Sequence, residues 1–134
     1  MGIPEKLVAA VVADVSERMA DPNYAQVAIG TFVQAHPDVS RFVTAHTDEL
    51  GGGEGVMHTV FHAELLAECF RRHRDKDTQP VGFPELDAVA HDDPIAELTR
   101  VQPALASYLV SNVDSPQMRK IVAHIGLALS AARS

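Results

Sequence analysis

Residues 54–74 read EGVMHTVFHAELLAECFRRHR, and this stretch decides the fold. Its apolar residues recur every three or four positions, which is the period of an α-helix. They are Val56, Met57, Val60, Phe61, Ala63, Leu65, Leu66, Ala67 and Phe70. The one clear solvent-facing strip consists of Glu64, Glu68, Arg71 and Arg72. Because a helix that is apolar on most sides needs other helices around it, residues 54–74 are expected to form the central helix of a bundle.

Prolines and glycines divide the rest of the chain into further helices. Gly51–Gly55 separates the central helix from the one before it, since glycine readily adopts the left-handed turn of a helix end. Pro37 and Pro116 mark helix starts, because proline fits a first helical turn. Pro103 is expected either to kink the fifth helix or to split it at Gln102, and the pattern favours neither outcome. The six predicted helices run from Pro4 to Met19, Pro22 to His36, Pro37 to Leu50, Glu54 to Arg74, Pro94 to the turn before Asp114, and Pro116 to Ala132.

Residues 76–93 form the one long connection between predicted helices. This segment contains Val81, Phe83 and Leu86 and is too apolar for a solvated linker. We expect a packed loop with a helical turn from Pro84 to Ala90. No pair of strands is predicted. The sequence therefore predicts an all-α fold in which residues 1–134 form a single domain, a bundle of five to six helices.

A short pattern occurs twice in the chain. Residues 37–43 and 103–109 each begin with proline, followed by an aliphatic residue two positions on, an aromatic five on and an aliphatic six on. Each segment precedes a helix that carries V-x-H-x-x-L, at residues 60–65 and 122–127. We call this repeated pattern the sequence echo. Two pseudo-repeated helix hairpins around the long helix would explain it, and chance similarity between helices that start with proline is the alternative explanation.

The charge balance limits the possible partners. Eleven Lys and Arg residues against eighteen Asp and Glu give a formal net charge of -7. Nucleic-acid binding depends mainly on basic side chains that neutralise phosphates, so no nucleic-acid partner is expected. Residues 71–74 are basic, but cations at that place complement the negative end of the helix dipole, and neighbouring acidic residues neutralise them.

The single cysteine and the charged N-terminal segment bear on location. Cys69 alone excludes an internal disulfide and a multi-thiolate zinc site, and a lone cysteine among apolar neighbours is typical of a small core residue. Residues 1–20 include five charged side chains and hold neither a signal-peptide core nor a membrane span. We expect a cytoplasmic protein without a membrane partner.

Two histidines on the central helix form a candidate metal site. His58 and His62 are four positions apart, so both imidazoles lie on one helix face within reach of one ion. Glu54, one turn earlier, is the candidate third ligand. The pattern is not that of a zinc protease, because Thr59 stands where H-E-x-x-H has its glutamate. Histidines that hydrogen-bond at the edge of the core are the alternative interpretation, and haem ligation by His58 or His62 is a further one.

Catalytic motifs are missing from the sequence. There is no G-x-S-x-G, and the glycines of residues 51–55 are followed by no Lys-Ser/Thr of a phosphate loop. We therefore expect a non-enzymatic helical interaction or adaptor module without a cofactor, which self-associates as a homodimer or binds a protein partner. We expect the contacts to use the face of a helix hairpin. The last helix offers an apolar stripe for it, formed by Met118, Ile121, Val122, Ile125 and Leu129. One alternative function is a metal- or haem-binding protein that uses His58 and His62. Another is a ligand sensor with a cavity between the central helix and the Phe83 loop.

Overall fold

A computed structural model describes residues 2–132, which form eight α-helices and no strand. The helices are α1 (Glu5–Arg18), α2 (Tyr24–Ala35), α3 (Pro37–Thr44), α4 (Gly53–Arg74), α5 (Phe83–Ala88), α6 (Pro94–Val101), α7 (Pro103–Asn112) and α8 (Pro116–Ala131). The all-α class and the helical bundle are thereby confirmed. None of these helices is long and apolar enough to cross a membrane.

The expected number of five to six helices is wrong, because two of the eight arise at prolines. Gln102 leaves the helical conformation, with φ -141° and ψ 70°, so Pro103 begins a separate helix, α7, instead of bending a continuous one. The helical turn expected near Pro84 forms as α5 inside the long connection. The third helix is also shorter than expected, since α3 ends at Thr44 and turns lead from there to the buried Leu50.

The core lies where α4 and α8 cross. α4 is one unbroken helix, as predicted, and it packs against α1, α2, α3 and α8. α8 is the more completely enclosed of the two, because residues 121–129 are all buried apart from His124. Gly126 faces α4 and α6 so closely that a Cβ atom there would lie 3.1 Å from Leu66 Cδ1. The apolar stripe of α8 is therefore used inside the chain, and the expectation that it forms an intermolecular surface is wrong.

The helix packing has an approximate twofold pattern. If α1–α4 are exchanged for α5–α8, every substantial helix contact maps onto another such contact or onto itself. The packing of α2 on α4 corresponds to that of α6 on α8, and the packing of α1 on α7 corresponds to that of α5 on α3. The contact between α4 and α8 maps onto itself. This pattern agrees with the sequence echo and extends it from a helix hairpin to four helices in each half.

Two buried hydrogen bonds join the halves at equivalent places. His36 and Gln102 are both buried, both precede a helix-starting proline, and have nearly the same backbone angles. The Val81 N–H donates to His36 Nδ1 (2.9 Å), and the Ile3 N–H donates to Gln102 Oε1 (2.8 Å). Each bond satisfies a backbone donor that would otherwise be buried without a partner. The segment before the first helix of each half is thus fixed by the other half.

Candidate functional site

The three predicted metal ligands lie along the first turns of α4 in different environments. Glu54 and His58 are exposed, whereas His62 is half-buried. His62 Nδ1 and the Tyr108 hydroxyl share a hydrogen bond of 2.8 Å. Burial lowers the pKa of His62, and the neighbouring His58 lowers it further. Burial also raises the pKa of Tyr108 to about 12.

This geometry restricts what His62 can offer a metal ion. If the Tyr108 hydroxyl donates to Nδ1, the neutral imidazole carries its hydrogen on Nε2 and has no free lone pair. Only the other tautomer, in which Nδ1 donates, leaves Nε2 free to bind an ion. Within residues 2–132, no three His, Cys, Asp or Glu side chains lie together in an arrangement that could hold a metal. The site of Glu54, His58 and His62 stays a prediction.

Cys69 is a core residue. Its side chain is completely buried on the inner face of α4. Burial raises the pKa of the thiol to about 12, with Glu68 adding to the rise and Arg72 opposing it. Because the thiolate is the nucleophilic form, this thiol is unreactive at neutral pH. The expectation that Cys69 acts as a small apolar residue is confirmed.

The basic end of α4 is tied into an ion-pair network. Arg71 binds Glu68 through two hydrogen bonds of 2.6 Å each. Arg72 donates to Glu68 at 2.8 Å and also to Asp14 on α1 at 2.5 Å. Arg74 donates to the carbonyl oxygen of Ser130 and lies over the Phe70 ring. Arg71 and Arg72 are thus paired with carboxylates of α4 and α1 that precede them in sequence, whereas the partner of Arg74 is a backbone carbonyl oxygen.

Glu64 does not belong to a solvated strip, and this expectation is wrong. Its side chain lies in a groove of about 260 Å³ between α2 and α4, beside Thr31 and Phe61. Burial raises its pKa to about 7, and the nearby Glu68 adds to the effect while Arg71 opposes it. Among the described residues, no hydrogen bond or ion pair engages this carboxyl group. The period of α4 places Glu64 on the same side as Glu68, but α2 packs alongside and covers it.

The same side of the molecule presents an apolar surface that sequence reasoning missed. Tyr24 and Phe61 meet edge to face with ring centroids 6.5 Å apart. Val27 on α2 is 63% exposed, and Met57, one turn before Phe61 on α4, is 50% exposed. The sequence pattern counts Met57 among the apolar residues that bury the central helix, and its exposure corrects that expectation. We call the surface formed by Tyr24, Val27, Met57 and Phe61 the α2–α4 face.

Charged side chains of both signs lie beside the α2–α4 face. Arg18 and Arg71 line its groove together with Glu64 and Glu68. An apolar centre with aromatic residues and methionine, inside a polar rim, is the usual composition of a protein–protein interface. Comparison of the chain with family models, with curated proteins and with solved structures finds no match. A function therefore has to be argued from these surfaces alone.

Proposed function

We propose that this protein is a non-enzymatic helical interaction module, and that it forms a homodimer through the α2–α4 face. The observation that carries the proposal is the exposure of Val27 and Met57 next to the Tyr24–Phe61 pair. Contiguous apolar surface of this kind is rarely left open to water on a monomeric protein. It is rich in the residue types that dominate interface cores.

The rim of this surface favours a second copy of the same chain as the partner. A twofold contact places each surface patch against itself, so a rim of one charge sign would be repelled. Here two arginines and two glutamates line the groove beside the apolar centre, and a twofold axis can bring opposite charges together. A uniformly acidic or basic rim would instead favour a partner of opposite charge.

The burial of the Cys69 thiol supports the non-enzymatic part of the proposal. The one thiol is buried and protonated. Arg71 and Arg72 at the end of α4 are engaged by carboxylates, and Arg74 donates to a backbone carbonyl oxygen. A cytoplasmic location, which a single reduced cysteine favours, belongs to the same proposal. Metal or haem binding at His58 and His62 remains the alternative function, and its test is given in the Discussion.

Analytical ultracentrifugation over a range of protein concentrations tests the proposal. We expect the unaltered chain to reach twice its mass of 14.4 kDa at micromolar concentrations. Met57→Lys should shift the equilibrium strongly to the monomer, since a lysine would be buried in the contact without a counter-ion. Val110→Lys is the matched control, because Val110 is 53% exposed on α7, which does not pack on α2.

Two results would reject this dimer. One is a monomer at every concentration, and the other is a dimer that Val110→Lys disrupts as much as Met57→Lys. Circular dichroism of both variants tests whether they keep the helical fold. Because both side chains are at least half exposed, neither substitution removes core packing.

A further inference from the structure

A second concave site lies away from the α2–α4 face, between the end of α3, the start of α6 and the first half of α8. Its volume is about 530 Å³. This size is typical of pockets that hold one small organic molecule. Its apolar walls are Phe42, Pro94, Pro116 and Ile121, and its polar groups come from His46, Glu49, Gln117, Lys120 and His124. We call it the α3–α8 pocket.

Three side chains of the pocket, His46, His124 and Phe42, are held in place by contacts within the protein. His46 Nδ1 donates to Glu49 Oε1 at 3.1 Å, and His124 Nε2 donates to the carbonyl oxygen of Leu86 at 2.7 Å. The Phe42 ring meets both imidazoles edge on, with centroids 5.1 Å from His46 and 5.2 Å from His124. A wall whose side chains are already oriented loses little conformational entropy when a ligand binds.

The lining of the pocket carries one acidic residue and one lysine, and of these two charged groups only the lysine has no partner among the described residues. Glu49 is the one acidic residue of its lining, and it is already used by His46. No carboxylate of residues 2–132 lies within ion-pair distance of Lys120, which stands in the second turn of α8. The positive end of the α8 dipole adds to the field at that side of the pocket. An anionic group is therefore attracted to the Lys120 side of the pocket, where an organic cation would meet an unpaired ammonium.

The walls require more than a bare anion. Phe42, Ile121 and the two proline rings offer apolar surface that an inorganic ion would leave in contact with water. We propose that the α3–α8 pocket binds a small organic carboxylate with an apolar, aromatic body, its carboxylate beside Lys120 and its ring against Phe42. This proposal is independent of the dimer, since the pocket shares no residue with the α2–α4 face.

Phenylacetate is a suitable first probe, with phenylacetamide as its neutral analogue and benzylamine as its cationic one. Titration of the full ¹⁵N-labelled chain up to about 10 mM, followed by amide chemical shifts, covers the affinity expected for a ligand of this size. We expect phenylacetate to shift amides around Phe42, Lys120 and His124, and the two analogues to bind at least about tenfold more weakly. Acetate and inorganic phosphate test whether the charge alone is enough.

Lys120→Met should weaken phenylacetate binding about tenfold, while the matched variant Lys6→Met, at an exposed position of α1, should leave it unchanged. Both lysines are exposed, so both variants are expected to fold. The proposal is overturned if phenylacetate causes no shifts at the pocket or if Lys120→Met binds it as well as the unaltered chain. Equal binding of benzylamine, or of acetate and phosphate, would likewise show that the recognised chemistry is different.

Discussion

Replacing Glu64 with glutamine is expected to stabilise the protein above neutral pH and to have little effect in acid. The folded chain raises the pKa of Glu64 from 4.5 to about 7, chiefly through burial. Between these two values the folded state holds a proton that the unfolded state has released, so stability falls as the pH rises through this interval. Above about pH 7 the folded protein bears the full cost of an ionised carboxylate between α2 and α4. Glutamine never ionises and avoids this cost.

The size of the effect follows from the pKa change and from the burial. One pKa unit corresponds to about 1.36 kcal/mol, so a rise from 4.5 to about 7 gives an upper limit of about 3.4 kcal/mol. Because the side chain is only half-buried, solvent screens part of this, and we expect Glu64→Gln to raise the free energy of unfolding by about 1–2 kcal/mol at pH 8. At pH 4 the difference should be near zero.

Urea denaturation of both proteins at pH 4, 5.5, 7 and 8 measures this difference, and NMR titration of the Glu64 carboxyl carbon measures the pKa directly. Two protein concentrations show any contribution of self-association. The matched control is Glu68→Gln one turn later. Burial alone would raise the pKa of Glu68, but hydrogen bonds from Arg71 and Arg72 outweigh it and lower the value. Glu68→Gln should therefore destabilise at neutral pH. A Glu64 pKa below about 5.5, or an equal effect of Glu64→Gln at pH 4 and pH 8, would refute the reasoning.

Three further predictions concern α4. Gly55→Ala should lower the free energy of unfolding by about 2 kcal/mol or more, since its Cβ would lie 1.7 Å from the Leu50 carbonyl oxygen. Gly53→Ala, with nothing within 4 Å, should be neutral or stabilising in the same denaturation experiment, and equal losses would contradict this steric explanation. Cys69 should react with a thiol reagent only after denaturant is added, and rapid reaction of the native protein would show that the thiol is accessible. Elemental analysis and an absorbance spectrum of protein purified without a histidine tag test for a bound metal or haem. If a metal is found and the His58→Ala, His62→Ala variant keeps it, the predicted ligands are excluded.

The sequence is most informative where a local rule determines the structure. The apolar period and the flanking glycines predict a helix over 54–74, and the structure forms it over Gly53–Arg74. The two possible results at Pro103 have the same local pattern. The contact made at the break between α6 and α7 involves a residue distant in sequence, because the Gln102 side chain accepts a hydrogen bond from the buried N–H of Ile3. A hydrogen bond across ninety-nine positions leaves no trace in a hydrophobic pattern.

The candidate surfaces were harder to predict, because an apolar period shows which side of a helix is apolar and not which side is covered. α2 carries apolar residues on more than one side, and while Phe32 is fully buried, Val27 stays largely exposed. The reverse holds for Glu64. The polar period of α4 predicts that it faces solvent, but α2 packs beside it and partly covers it. The exposure of Val27 and the partial burial of Glu64 both depend on how α2 packs on α4. This packing is not encoded in the apolar period of either helix.

The sequence echo, by contrast, identifies residues that the fold brings together. Its two aromatic residues and its two histidines meet across the halves: Tyr108 is paired with His62, and Phe42 with His124. Tyrosine provides a hydroxyl that hydrogen-bonds its histidine, whereas phenylalanine has none, and His124 bonds to the Leu86 carbonyl instead. The tyrosine end therefore holds a closed hydrogen-bonded pair, and the phenylalanine end borders the α3–α8 pocket. The two halves have the same helix packing, so the pocket at one end is associated with a difference between equivalent residues, phenylalanine in place of tyrosine, and not with a difference in fold.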